Sequence, residues 1–155
     1  MIYKKLTLSL SLSLLLFFVL VACGGQETVD TSSVVADLSS QTQSVPLEGG
    51  GSYTDVSADG LASMLETKDF PLINVHIPYA GEIDGTDEFI PFDQIEENVD
   101  KLPADKDTKI VIYCRSGSMS GISARTLVEL GYTDVWNLDG GMIAWEASGR
   151  PVLYN

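Results

Sequence analysis

Apolar and polar positions divide the chain into three unequal stretches. Residues 6–22 carry no charge, residues 24–52 are mostly small and polar, and from Tyr53 onward short apolar runs alternate with polar turns. In that last stretch Tyr53 to Val56 predicts a short strand. Ser57 can cap a following helix whose apolar face holds Leu61, Met64 and Leu65. Pro71 to Val75 predicts a second strand. Residues 76–91 carry Pro78, Gly81, Gly85 and Pro91, which mark a loop with one short strand around Phe89. Phe92, Ile95 and Val99 suit a short acidic helix ahead of Pro103. Lys109 to Tyr113 then reads as a buried strand, and residues 120–130 as a helix presenting Ile122, Leu127 and Leu130. Gly131 fits the left-handed position just past that helix. Asp134 to Leu138 predicts another strand, and Gly140 to Ser148 a final helix closed by Gly149 and Pro151. Strands alternating with helices imply a parallel sheet covered on both faces, with function gathered at the carboxyl ends of the strands.

The first two stretches lie outside this alternation. Lys4 and Lys5 precede the uncharged run, and small residues follow it, the pattern of a secretory signal over residues 1–22. Residues 24–52 lack any aromatic residue and end in Gly49, Gly50 and Gly51. Such a composition cannot bury enough surface to offset the entropy of ordering it. The expected organisation is a leader over 1–22, a modified N-terminus and flexible tether over 23–52, and one domain over 53–155. The tether's r.m.s. reach is roughly 30 Å, enough to hold a small domain clear of a lipid surface.

The junction itself, Leu20-Val21-Ala22-Cys23-Gly24, resembles the lipobox of bacterial lipoproteins. The resemblance implies that Cys23 is diacylglyceryl-modified and becomes the new N-terminus, which anchors the domain to the cell membrane on its extracytoplasmic side. Two acyl chains suffice for stable anchoring where one does not. Removing the leader takes away two lysines and no acid, so the net charge of −13 becomes −15. A field of that sign repels nucleic acid and anionic lipid headgroups. It speaks for solubility and not for a particular activity.

The chain has two cysteines. With Cys23 lipidated, Cys114 has no intramolecular partner. Such a thiol is an intermolecular bridge, a reactive residue, or a buried structural cysteine. Its surroundings narrow the choice. Residues 110–121 read IVIYCRSGSMSG, so the chain leaves a buried strand at Cys114, turns through Arg115, Ser116, Gly117, Ser118 and Met119, and enters a helix near Ser120. Gly117 permits the positive φ of a tight turn, and small serines let backbone N–H groups point inward. Those amides and the positive end of the helix form an anion cradle, which favours the thiolate as nucleophile. Arg115 adds a cation beside it.

Three chemistries use such a cradle: sulfur transfer through a persulfide, phosphoryl transfer through a phosphocysteine, and thiol redox exchange. Cysteine phosphatases need a Cys-x5-Arg loop whose arginine clamps the phosphoryl oxygens, and the position six after Cys114 is Ser120. Redox exchange usually employs a resolving cysteine, and no second free one exists.

IVIYCRSGSMS followed by ELGYTDVWNLDGGMIAW resembles the carboxyl half of a rhodanese domain. The family order of strand, Cys-Arg-Ser-Gly loop, helix, Gly-aromatic turn, strand and Leu-x-Gly-Gly-x-x-x-Trp ends here at Leu138, Gly140, Gly141 and Trp145. The resemblance implies an α/β rhodanese-like fold with a five-stranded, mostly parallel sheet flanked by helices on both faces. It implies a sulfurtransferase in which Cys114 takes a sulfane sulfur from thiosulfate, polysulfide or a persulfide and passes it to a thiol or cyanide-like acceptor. Arg115 to Ser120 would bind the donor. The alternatives are a non-catalytic binding or sulfur-carrier module of the same family, and an exported thiol redox protein.

Four positions depart from the family pattern. Met119 stands where a second arginine is common, Asn74-Val75-His76 replaces Asp-Val-Arg, and Glu82 replaces the histidine of Gly-His-Ile. With the strong negative charge, Met119 is expected to disfavour the doubly charged thiosulfate relative to polysulfide or low-molecular-weight persulfides. Trp136 and Trp145 read as core. His76, the one histidine, reads as an ordinary loop histidine. The acidic run Asp84 to Glu97 lacks EF-hand spacing, and no His/Cys cluster has zinc spacing, so neither metal nor cofactor is expected. Sequence says nothing about oligomeric state.

Overall fold

In the computed structural model, residues 39–154 are described. The leader and Cys23 lie outside them. Six strands form one sheet: β1 (Thr42–Pro46), β2 (Ser52–Val56), β3 (Leu72–Asn74), β4 (Glu88–Phe89), β5 (Ile110–Tyr113) and β6 (Val135–Leu138), in the order β1-β2-β6-β5-β3-β4. All neighbours are parallel except β1 and β2, which pair antiparallel. The α-helices that pack on the sheet are α1 (Ala58–Leu65), α2 (Ser118–Glu129) and α3 (Gly141–Ala147), and a 3₁₀ helix spans Glu96–Lys101.

The sheet divides the core into two layers. On one face α2 covers Ile73, Ile110, Ile112 and Val135, together with Ile95 and Leu102 around the 3₁₀ helix. On the other, α1 and α3 cover Val56, Leu72, Val111, Tyr113 and Leu138 through Leu61, Met64, Met142 and Trp145. Central β5 is buried at every position, which is why it reads as a continuous apolar run. Ser57 caps α1, its Oγ accepting the Gly60 N–H at 3.1 Å.

Three expectations about the fold are corrected. The sheet has six strands instead of five, because β1 lies inside the segment expected to be tether, so the folded unit extends N-terminal to residue 53. Gln43, Ser44 and Pro46 are exposed and only Val45 and Thr42 are half-buried. The strand is held by backbone pairing to β2 over five residue pairs, and composition does not report that. The apolar face of α2 is also turned. Ser120, Ser123, Ala124 and Leu127 face the sheet, while Ile122 is 46% exposed. At about 100° per residue, Ile122 lies opposite that stripe. The inward stripe consists of small residues as far as Leu127, so hydrophobicity does not mark it. Val99, expected on an apolar face of the acidic helix, is 42% exposed.

Candidate active site

β5 delivers Cys114 to the carboxyl edge of the sheet, where it is 1% exposed. The chain then reverses at Gly117, whose φ of 88° is left-handed, a conformation that favours glycine. Gly117 aims its N–H at the Cys114 sulfur, with N and Sγ 3.1 Å apart. Ser120 lies fully buried one helical turn on, its Oγ 3.4 Å from Sγ and 3.2 Å from the Gly117 carbonyl oxygen. Its single proton serves one or the other, so the hydroxyl can turn toward sulfur when sulfur carries charge. The first N–H of α2 with a helical acceptor is that of Gly121, bonded to the Gly117 carbonyl. The amides of Ser118, Met119 and Ser120 precede it at the positive end of the helix. Cys114 therefore sits in an anion-favouring cradle made almost wholly of backbone.

A second layer holds the cradle from below. The Met142 N–H donates to the Cys114 carbonyl at 2.9 Å, and the Ile143 N–H to the Arg115 carbonyl at 3.0 Å. These are orphan donors of the first turn of α3. They reach the loop because Gly140 and Gly141 let two backbones touch. A Cβ on Gly141 would collide with the Cys114 carbonyl oxygen and come within 2.8 Å of the Arg115 carbonyl carbon. One on Gly117 would stand 3.2 Å from the Gly140 nitrogen.

The remaining expected residues separate by role. Arg115, Ser116 and Ser118 are exposed on the rim. Arg115 has no carboxylate within ion-pair distance among the described residues. Met119 is half-buried and packs against the same core layer as Cys114, so its thioether belongs to the support of the loop.

The departures near β3 form a connected brace. Asn74 is fully buried, donating from Nδ2 to the Gly81 carbonyl at 3.0 Å and accepting the His76 N–H on Oδ1 at 3.0 Å. A carboxylate could not make the first bond. Glu82 pairs through its backbone with Leu153, its N–H donating at 2.9 Å and its carbonyl accepting at 2.8 Å. Tyr113 accepts the Ile83 N–H at 3.0 Å and bonds the Thr86 hydroxyl, and burial pushes its phenol up to about 12. His76 keeps a buried Nδ1 without a partner among the described residues. Burial, and then the Arg115 charge, lower its pKa. Of the two tryptophans, Trp145 is buried and Trp136 half-buried against the core.

Sequence reasoning missed the two amides from α3 and the side chains of Glu146 and Tyr154, which line a recess beside Arg115. Backbone donors leave no side-chain signal. The glycine pair was their one trace.

An open, mostly parallel sheet with a cysteine-centred loop at the carboxyl end of a central strand defines the class as rhodanese-like α/β. The rhodanese-like domain model matches residues 57–148, and the chain belongs to that family. A sulfurtransferase of Allochromatium vinosum is 33% identical over 103 residues, covering 64% of this chain and 94% of its own. The thiosulfate sulfurtransferase GlpE of Shewanella oneidensis is 32% identical over 99 residues, covering 61% and 93%. A rhodanese-related protein of Thermoplasma volcanium shares the fold with a TM-score of 0.55 at 23% identity, over 65% of this chain and 98% of its own. By enzyme class the chain is a rhodanese-like sulfurtransferase.

Proposed function

We propose that the protein is anchored on the extracytoplasmic side of the cell membrane by lipid on Cys23, and moves sulfane sulfur through a Cys114 persulfide. The observation that supports this most is the placement of Sγ against the Gly117 N–H and the Ser120 hydroxyl at the start of α2. The Cys114 thiolate attacks the sulfane sulfur of a thiosulfate, polysulfide or persulfide donor. A sulfur–sulfur bond forms as the donor's bond to that atom breaks, and sulfite, a polysulfide anion one sulfur shorter, or a thiolate leaves with the electron pair, according to the donor. The outer persulfide sulfur carries the negative charge, and the free amides at the start of α2 are donors for it. A thiolate or cyanide acceptor then attacks that sulfur and releases the Cys114 thiolate, so no external oxidant or reductant is consumed.

The test uses full-length protein in mild detergent, because a chain begun at residue 53 would lack β1. Intact mass is measured after incubation with thiosulfate or polysulfide, and again after cyanide or a thiol. Gain of one sulfur atom, its loss to the acceptor, and neither in Cys114→Ser are expected. Uptake without discharge would indicate a carrier module. No uptake from any donor would overturn the reading. For the anchor, Cys23→Ser is expected to move the protein from the detergent-rich to the aqueous phase in detergent partitioning. An unchanged partition overturns that part.

A further inference from the structure

The rim of the Cys114 loop continues into a recess of about 230 Å³ lined by Ala80, Arg115, Met142, Ile143, Glu146 and Tyr154. It is smaller than the usual pocket for a drug-sized ligand, so it suits a small molecule. One wall is the segment after α3, which folds back over the domain. Trp145 Nε1–H donates to the Pro151 carbonyl at 3.0 Å, Val152 is buried, and Leu153 pairs with Glu82. That return sets Tyr154 over α3, where its hydroxyl donates to Glu146 Oε1 at 2.7 Å. Arg115 also lines the recess, a cation without a carboxylate partner among the described residues. Met142 and Ile143 line it too, and their amides hold the Cys114 and Arg115 carbonyls, so the recess adjoins the backbone of the Cys114 loop.

One recess is thus lined by a guanidinium, a carboxylate and apolar side chains. A dianion gains from Arg115 and is repelled by Glu146. A molecule with a carboxylate at one end and an ammonium at the other satisfies both. Resting on the reading of Cys114 as a sulfur carrier, we propose that this recess selects a zwitterionic amino-acid thiol, of the class of cysteine, as the sulfur acceptor. The carboxylate lies on Arg115 and the ammonium on Glu146, and Tyr154 positions the Glu146 carboxylate. The acceptor thiolate attacks the outer sulfur of the Cys114 persulfide, the sulfur–sulfur bond to Cys114 breaks, and the products are the amino-acid persulfide and the Cys114 thiolate.

The test follows discharge of persulfidated full-length protein by L-cysteine, by 3-mercaptopropionate, which lacks the ammonium, and by cysteamine, which lacks the carboxylate. The readout is the ratio of kcat/KM values between acceptors, compared across variants so that intrinsic thiol reactivity cancels. Glu146→Gln retains an oxygen to accept the Tyr154 hydroxyl while removing the charge. It is expected to lower the cysteine to 3-mercaptopropionate ratio about tenfold. Arg115→Gln is expected to lower the cysteine to cysteamine ratio similarly. Ratios unchanged in both variants overturn the inference. The sulfurtransferase reading fails separately, if the wild-type protein takes up no sulfur or cyanide does not remove it.

Discussion

Replacing Gly141 by alanine tests whether the amides of α3 set the position of the nucleophile. Two costs combine there. The backbone is left-handed, with φ at 57°, and a Cβ in that region costs about 1–2 kcal/mol. The added carbon also meets backbone atoms, the Cys114 carbonyl oxygen and the Arg115 carbonyl carbon, so the two segments must part. Parting weakens the bonds from Met142 and Ile143 to the loop, each contributing about 1 kcal/mol. The expected destabilisation is about 3–4 kcal/mol. Gly131 supplies the control, because its φ is 90° and a Cβ added there would meet nothing within 4 Å. Gly131→Ala should lose only the conformational part, about 1–2 kcal/mol. Urea denaturation of both variants measures the difference. Sulfur transfer per folded molecule should fall about 100-fold in Gly141→Ala, since a shift of roughly 1 Å misplaces the thiol, and should stay at the wild-type level in Gly131→Ala. Equal stability and equal turnover in the two variants would refute the bracing role of α3.

Three further outcomes follow from the same geometry. Ser120→Ala removes the one side-chain hydroxyl facing Sγ and should slow persulfide formation about fivefold, near 1 kcal/mol, read by stopped-flow sulfur uptake with little change in urea midpoint. Asn74→Asp restores the family's acid but sets a carboxylate against the Gly81 carbonyl in a fully buried site. It should destabilise the fold by about 2–3 kcal/mol at pH 7 and by less as acid protonates it; a stabilised variant would contradict the brace. His76 has a folded pKa below its usual value, first from burial and then from Arg115. The unfolded chain therefore binds its proton more readily, so stability is full above about pH 6.5 and declines as pH falls through the interval down to the folded value. His76→Gln should flatten that decline in urea midpoints measured from pH 7.5 to 5.

How much was legible follows from which interactions are local. The apolar run of β5, the turn at Gly117 and the small residues after Cys114 are short-range features, and the sequence by itself determined where the Cys114 thiol and the backbone cradle around it stand. Residues facing Sγ lie within six positions of it, so no long-range information was needed. The phase of α2 was not legible, because periodicity weighs Ile122 above Ser120 and Ala124, whereas the buried stripe is Ser120, Ser123, Ala124 and Leu127. Nor was β1, a polar strand whose stabilisation comes from backbone bonds to β2. The three-dimensional fold alone decided how Asn74 replaces an acid, since its partner Gly81 is brought to it by a loop. It also decided that Glu146 and Tyr154, far from Arg115 along the chain, line one recess with it. Side-chain type can announce chemistry held by one turn and one helix end. A site assembled from distant segments exists only once the sheet, α3 and the returning C-terminal segment have packed together.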